Sequence, residues 1–211
     1  MNKNIIWLVI GVVVFGGIYF FSRGGNEGVN GEVAFETGIL NPIDHIKGNA
    51  SSTIVLMEYS DFQCPACRSY YPLVRQIMAE FGDRIVFVYR HFPLTSIHQN
   101  AEFTARASEA AAKQGKFWEM HDLLFEKQNE WAKVADLEPI LVNYATLIGL
   151  NIEQFKLDWR SKEIKNLVSA QRIHAVKSGL QGTPTFFLAG KKINNPVSID
   201  DFRAVIKKAL E

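Results

Sequence analysis

Residues 61–71 read DFQCPACRSYY, and Cys64 and Cys67 in this stretch are the only two cysteines of a 211-residue chain. Pro65 and Ala66 separate them. Three explanations fit such a pair: a redox-active disulfide, half of a metal site, or two unrelated buried cysteines. A disulfide that closes so short a loop stabilises a fold very little, because the effect grows with loop length. The spacing therefore favours chemistry over a structural crosslink.

The segments on either side of the pair predict a strand followed by a helix. Residues 54–57 (IVLM) form a short apolar run typical of a buried strand. Pro65 suits the first position of a helix, where its missing N–H does no harm. Apolar residues then recur at helical spacing across residues 70–81, with Pro72 inside the pattern and Gly82 at its end.

A C-x-x-C motif at the start of a helix has a definite chemical logic. The first sulfur lies over unpaired backbone N–H groups and the positive end of the helix dipole, both of which stabilise a thiolate. The second cysteine, one turn later, is more buried and can attack a mixed disulfide formed on the first. On this basis Cys64 is the predicted nucleophile and Cys67 the resolving thiol.

A metal site is disfavoured by the number of available ligands. A structural zinc site needs four ligands, and the chain has no second cysteine pair. The histidines also lack the H-x₃₋₅-H spacing of zinc sites. They are His45, His91, His98, His121 and His174. The sequence therefore predicts neither a metal nor any other bound cofactor.

Beyond the first helix, the pattern predicts three further strands, with a long helical region after the first of them. Residues 85–89 (IVFVY), residues 185–188 (TFFL) and a short run at residues 191–193 read as strands. About residues 97–179 carry helical periodicity with almost no strand signal, and Ser198 opens a final helix. The strands meet only after this insertion, so we expect it to pack on one edge of a single sheet.

The N-terminal region predicts a membrane anchor. Residues 5–21 are apolar and uncharged, and as a helix they would span roughly 25 Å, the short end of a membrane span. Lys3 precedes the run and Arg23 follows it, which places the chain after Arg23 outside the cytoplasm. The alternative is a cleaved signal peptide, which exports the domain to the same oxidising side. The predicted organisation is an anchor at 1–23, a linker and lead-in at 24–42, and a domain at 43–211.

The overall composition limits the class of protein. Hydrophobic residues make up 47% of the chain, enough for one sizeable core. The formal net charge is +1, so charge gives no reason to expect nucleic-acid binding.

Three runs carry a resemblance to a known family: EYSDFQCPAC, YRHFPL and GTPTFFLAG. Together with the helical insertion, they resemble the DsbA-like branch of the thioredoxin-fold proteins over about residues 43–210. The resemblance implies an α/β thioredoxin fold with an all-helical insertion between the second and third strands. It covers nearly the whole part of the chain that is predicted to be exported.

The resemblance also implies roles for single residues. Cys64 and Cys67 match the redox-active pair, and Pro184 matches the cis-proline that faces it. Thr183, before that proline, would turn its backbone outward so that an extended substrate chain could pair with it as an added strand. Glu58 matches a buried acid beneath the active site, whose pKa burial would raise. That carboxylate could take the proton from Cys67 as the thiol attacks.

The implied function is that of a thiol–disulfide oxidoreductase outside the cytoplasm, which oxidises cysteines of exported proteins. A quinone-linked membrane partner would reoxidise it, and no cofactor is needed. A disulfide reductase or isomerase of the same fold and a non-catalytic peptide-binding module remain alternatives. DsbA has a histidine between its cysteines, whereas Pro65-Ala66 offers neither a charge nor a side-chain donor. The direction of electron flow therefore stays open.

Overall fold

The computed structural model of the protein describes residues 39–211, which contain five strands and eight helices. The strands are β1 (His45–Gly48), β2 (Val55–Ser60), β3 (Val86–His91), β4 (Thr185–Leu188) and β5 (Lys191–Lys192). The helices are α1 (Pro65–Phe81), α2 (Ala101–Ala112), α3 (Phe117–Glu126), α4 (Gln128–Trp131), α5 (Glu138–Leu147), α6 (Ile152–Arg160), α7 (Lys162–Lys177) and α8 (Ile199–Ala209).

The strands form one mixed sheet in the order β1-β3-β2-β4-β5. The central strand β2 pairs in parallel with β3 and antiparallel with β4. Helix α1 connects β2 to β3, as a parallel pair requires. With the helical insertion, this arrangement is the thioredoxin fold predicted from the sequence.

The first strand, β1, was not predicted, and it changes the position of the insertion. β1 is four residues long, is largely exposed, and pairs antiparallel with β3 at the sheet edge. The insertion therefore lies between the third and fourth strands, not between the second and third. At the end of β1, Gly48 has φ +93° and lies so close to α1 that a Cβ would be 2.6 Å from Met78 Cε.

The insertion packs against both faces of the sheet, and the expectation that it would occupy only one edge was wrong. On one face, Trp118 of α3 packs beside Phe87 with the two ring centroids 5.8 Å apart. On the other face, Ala175 of α7 belongs to a core cluster with Met57 and Val88. The helices of the insertion thus enclose β3, whose six residues are all buried.

The predicted membrane anchor and most of the predicted linker lie outside the described residues. Within residues 39–211, none of the helices has the length and apolar character needed to span a membrane.

Candidate redox site

The two cysteines lie at the first turn of α1, as the motif predicts. Cys64 is the N-cap residue with extended backbone angles, and Pro65 occupies the first helical turn. Both cysteines are free thiols. Cys64 is 7% exposed and Cys67 is fully buried, so only the first sulfur can be reached by another protein.

The surroundings of the two thiols separate their pKa values. A hydrogen bond with the Cys67 thiol is the largest factor that lowers the pKa of Cys64, to about 5, against the opposing effect of burial. Hydrogen bonding by Thr183 and by the backbone N–H groups of Cys67 and Ala66 lowers the pKa of Cys64 further. Burial raises the pKa of Cys67 well above its ordinary value. Cys64 is thus acidified although the side chains of Pro65 and Ala66 contribute nothing polar.

The Thr183-Pro184 segment lies beside Cys64. The peptide bond between these two residues is cis, which confirms the prediction. The Cys64 thiol donates to the Thr183 carbonyl oxygen, with Sγ and O 3.4 Å apart. Thr185 then begins β4, which pairs with β2 and so holds this segment against the start of α1.

Glu58 lies in the central strand and faces the underside of α1. It is 3% exposed, and its Oε1 accepts a 2.6 Å hydrogen bond from the Ser60 hydroxyl. Burial raises the pKa of Glu58 to about 7, the Ser60 hydrogen bond opposes this, and the charge of Cys64 adds to it. The carboxyl is therefore close to half-protonated at neutral pH, and it interacts electrostatically with both cysteines.

Two further residues of the site were missed from the sequence. Ser60 bonds Glu58 and also lowers the pKa of Cys67 by hydrogen bonding. Gln128, in the insertion, is buried, and its Nε2 donates to the carbonyls of Phe62 and Cys64 at 2.6 and 3.0 Å. Ser60 follows Glu58 by two positions, and that strand periodicity would have placed both on one face. Nothing local to Gln128 indicates its contact, which depends on how the insertion folds back.

The site has the parts needed for thiol–disulfide exchange. The accessible sulfur of Cys64 has a low pKa, and the buried sulfur of Cys67 has a high pKa. The carboxyl of Glu58, which interacts electrostatically with both, has a pKa of about 7. Within residues 39–211, His, Cys, Asp and Glu side chains nowhere gather in the groups of three or more that a metal ion would need.

Comparison with known proteins gives the same fold. The thioredoxin family model matches residues 40–208. The oxidised crystal structure of BdbD from Bacillus subtilis superposes with a TM-score of 0.70 at 24% identity, covering 79% of this chain and 92% of that one. The crystal structure of alpha-DsbA1 from Wolbachia pipientis has a TM-score of 0.73 at 22% identity, covering 82% and 93%. At these identities the two structures establish a DsbA-type fold.

A curated relative shares more sequence but is much longer. The protein named Na(+)/H(+) antiporter NhaA 3 of Salinispora tropica is 36% identical over 166 residues. The match covers 79% of this chain but 24% of that protein. The chain thus spans about a quarter of the length of this relative. Most of the protein that carries the antiporter name lies outside the match.

Proposed function

Because this chain belongs to the thioredoxin family and has the DsbA-type fold, we propose that it is a thiol–disulfide oxidoreductase that oxidises cysteines of exported proteins. The observation that carries the proposal is the unequal pair of thiols at the start of α1. A thiolate at Cys64 that is stable at neutral pH stabilises the reduced protein. A stable reduced form makes the disulfide a strong oxidant.

The reaction follows from which sulfur is accessible. A substrate thiolate attacks Sγ of Cys64 in the Cys64–Cys67 disulfide, so that a mixed disulfide forms and Cys67 leaves. A second substrate thiolate attacks the substrate sulfur of the mixed disulfide and releases Cys64 as a thiolate. The substrate loses two electrons and two protons in all, and the cysteine pair gains the electrons. Thr183 lies where the substrate backbone would bind, beside Cys64.

Glu58 is the proposed acid–base group for Cys67. The leaving Cys67 sulfur is fully buried, and its high pKa means that it must take up a proton. Glu58, with a pKa of about 7, can supply that proton at neutral pH and recover it afterwards. Ser60 donates a hydrogen bond to Glu58 and so positions its carboxyl.

The location and the partners belong to the same proposal. The apolar run at residues 5–21 would hold the domain on the extracytoplasmic face of a membrane. A quinone-linked membrane protein would accept the two electrons and restore the disulfide. The occurrence of a similar domain within a protein named as an antiporter supports a role near a membrane.

The reduction potential of the Cys64–Cys67 couple tests the direction of electron flow. We expect a value towards about −120 mV, the oxidising end of the range for such couples, after equilibration of the full chain in glutathione buffers. A value towards about −270 mV would instead identify a disulfide reductase that depends on a supply of electrons. That outcome keeps the site chemistry but reverses the proposed direction.

Variants of the two cysteines test whether the protein is an enzyme at all. Cys64→Ser should abolish oxidation of a reduced substrate protein, because no sulfur remains at the accessible position. Cys67→Ala should instead accumulate mixed disulfides through Cys64, visible on non-reducing gels. Full activity of the Cys64→Ser variant would refute the role of Cys64, whereas an unmodified chain that oxidises no substrate would favour the non-catalytic peptide-binding alternative.

A further inference from the structure

A cavity of about 370 Å³ lies between α1, α3 and the β1–β3 side of the sheet, behind the redox pair. This volume is within the range of small-molecule sites. Its lining includes four aromatic side chains and two aliphatic ones. They are Tyr71, Phe87, Trp118, Phe125, Val74 and Met78.

Glu58 is a buried carboxyl in the wall of this cavity. Its Oε1 accepts the Ser60 hydroxyl, whereas no hydrogen bond to Oε2 arises from residues 39–211. Because Oε2 of Glu58 receives no hydrogen bond from the described residues and the cavity is mostly apolar, this oxygen can accept a hydrogen bond from a ligand. Such a group favours a ligand that carries a donor, and above all a cation.

His121 gives the cavity a second acceptor. It is 5% exposed, and its Nδ1 lies 2.9 Å from the Asp122 carboxylate, which requires the proton on Nδ1. Burial lowers the pKa of His121, so the ring is neutral at pH 7 and Nε2 can accept a hydrogen bond.

Three charged side chains also line the cavity, but they are more exposed than Glu58. Lys47 lies over the Trp118 ring at 5.3 Å. Arg75 pairs with Glu126 at 3.0 Å, and Asp122 is already bonded to His121. Exposed charges are screened by solvent, so Glu58 decides the preferred charge of a ligand.

From these contacts we propose that the cavity binds a small aromatic amine, with its ring among the aromatic side chains and its ammonium group on Glu58.

Calorimetry with tryptamine and indole-3-propionate tests the binding site in the full chain. The two probes share a ring system and differ in the charge of the side chain. We expect tryptamine to bind at least about tenfold more tightly, and Glu58→Gln to remove that preference, as loss of a charged hydrogen bond would. Equal affinities for the two probes, or an unchanged preference in Glu58→Gln, would overturn the proposal.

A second pair of variants locates the probe. Ala79 lines the cavity and is exposed on α1, so Ala79→Phe should fill the entrance and weaken tryptamine binding about tenfold or more. Gln76→Phe adds the same ring to an exposed position on α1 that is outside the cavity lining, and it should leave binding unchanged. Binding that survives in Ala79→Phe would show that the ligand lies elsewhere and refute the site.

Discussion

The Ser60 hydroxyl donates a 2.6 Å hydrogen bond to Oε1 of Glu58 in the buried interior beneath α1. Hydrogen bonding from Ser60 also lowers the pKa of Cys67. Ser60 therefore affects the pKa values of both groups between which the proposed reaction moves a proton. This arrangement makes Ser60 a positioning residue rather than a catalytic one.

Replacing Ser60 by alanine should raise the pKa of Glu58 above about 7 and that of Cys67 further, because both lose a stabilising hydrogen bond. The pH dependence of mixed-disulfide resolution measures this, and its midpoint should move to higher pH. Ser69→Ala is the matched control, since Ser69 is exposed and bonds only the Pro65 carbonyl of its own helix. An unchanged midpoint in Ser60→Ala would contradict the assigned role.

The Cys64 thiolate should be visible by its ultraviolet absorbance in the reduced protein, with a midpoint at a pH of about 5. The Cys67 thiol is the largest factor that lowers this pKa, so Cys67→Ala should shift the midpoint to higher pH. Ala66→Gly serves as the control, because it keeps the backbone N–H that faces the sulfur. A midpoint near the ordinary cysteine value in the unmodified protein would contradict the proposed oxidising site.

Glu58→Gln should change how the stability of the reduced protein depends on pH. The pKa of Glu58 is raised to about 7, so between its ordinary value of 4.5 and 7 the folded chain holds a proton that the unfolded chain releases. Stability therefore falls as pH rises through this window, by about 3 kcal/mol in total. The glutamine variant lacks this loss.

Urea unfolding from about pH 4 to about pH 8 measures the difference between the two proteins. The free energy of unfolding of Glu58→Gln, relative to the unmodified chain, should increase through the window and level off above it. A constant difference across the whole range would mean that Glu58 titrates normally in the folded protein.

Gln128→Leu should destabilise the start of α1, because it leaves the buried carbonyls of Phe62 and Cys64 without this donor. We expect a loss of about 1–3 kcal/mol in the free energy of unfolding, together with faster alkylation of buried Cys67. Gln154→Leu is the control, since Gln154 is exposed and its side chain bonds only Asp158. Equal effects of the two substitutions would argue against a specific role for Gln128.

Local sequence signals predicted the parts of the site that lie close to one another in the chain. The strand before Cys64, the helix after it and the cap at Ser198 all rest on short-range patterns, and the structure contains each of them. These features depend on neighbours within a few residues.

The features that were missed depend on residues far apart in the chain. β1 is short, polar and exposed, so only its pairing with β3 makes it a strand. Gln128 reaches Cys64 because the insertion folds back over α1. The segment before β1, which carried few signals, supplies a buried carboxylate to the far side of the sheet.

That carboxylate belongs to Asp44, and Arg90 of β3 bonds both of its oxygens, at 2.9 and 2.7 Å. The side chain of Arg90 is 0% exposed and that of Asp44 is 1% exposed. Arg90 also donates to the Tyr59 hydroxyl at 2.9 Å and to the Ile39 carbonyl at 2.7 Å. Removal of one partner from a buried pair leaves an uncompensated charge, which costs about 3–5 kcal/mol.

We therefore expect Asp44→Ala to lower the free energy of unfolding by about 3–5 kcal/mol, measured in urea at neutral pH. Glu80→Ala removes the half-exposed pair with Arg203 and should cost at most about 1 kcal/mol. The double variant Asp44→Ala/Arg90→Met should be more stable than Asp44→Ala alone, because it removes the orphaned charge. If the double variant is instead less stable than Asp44→Ala by the full cost of losing Arg90, the charge of Arg90 is compensated by Tyr59 and the Ile39 carbonyl and not by Asp44.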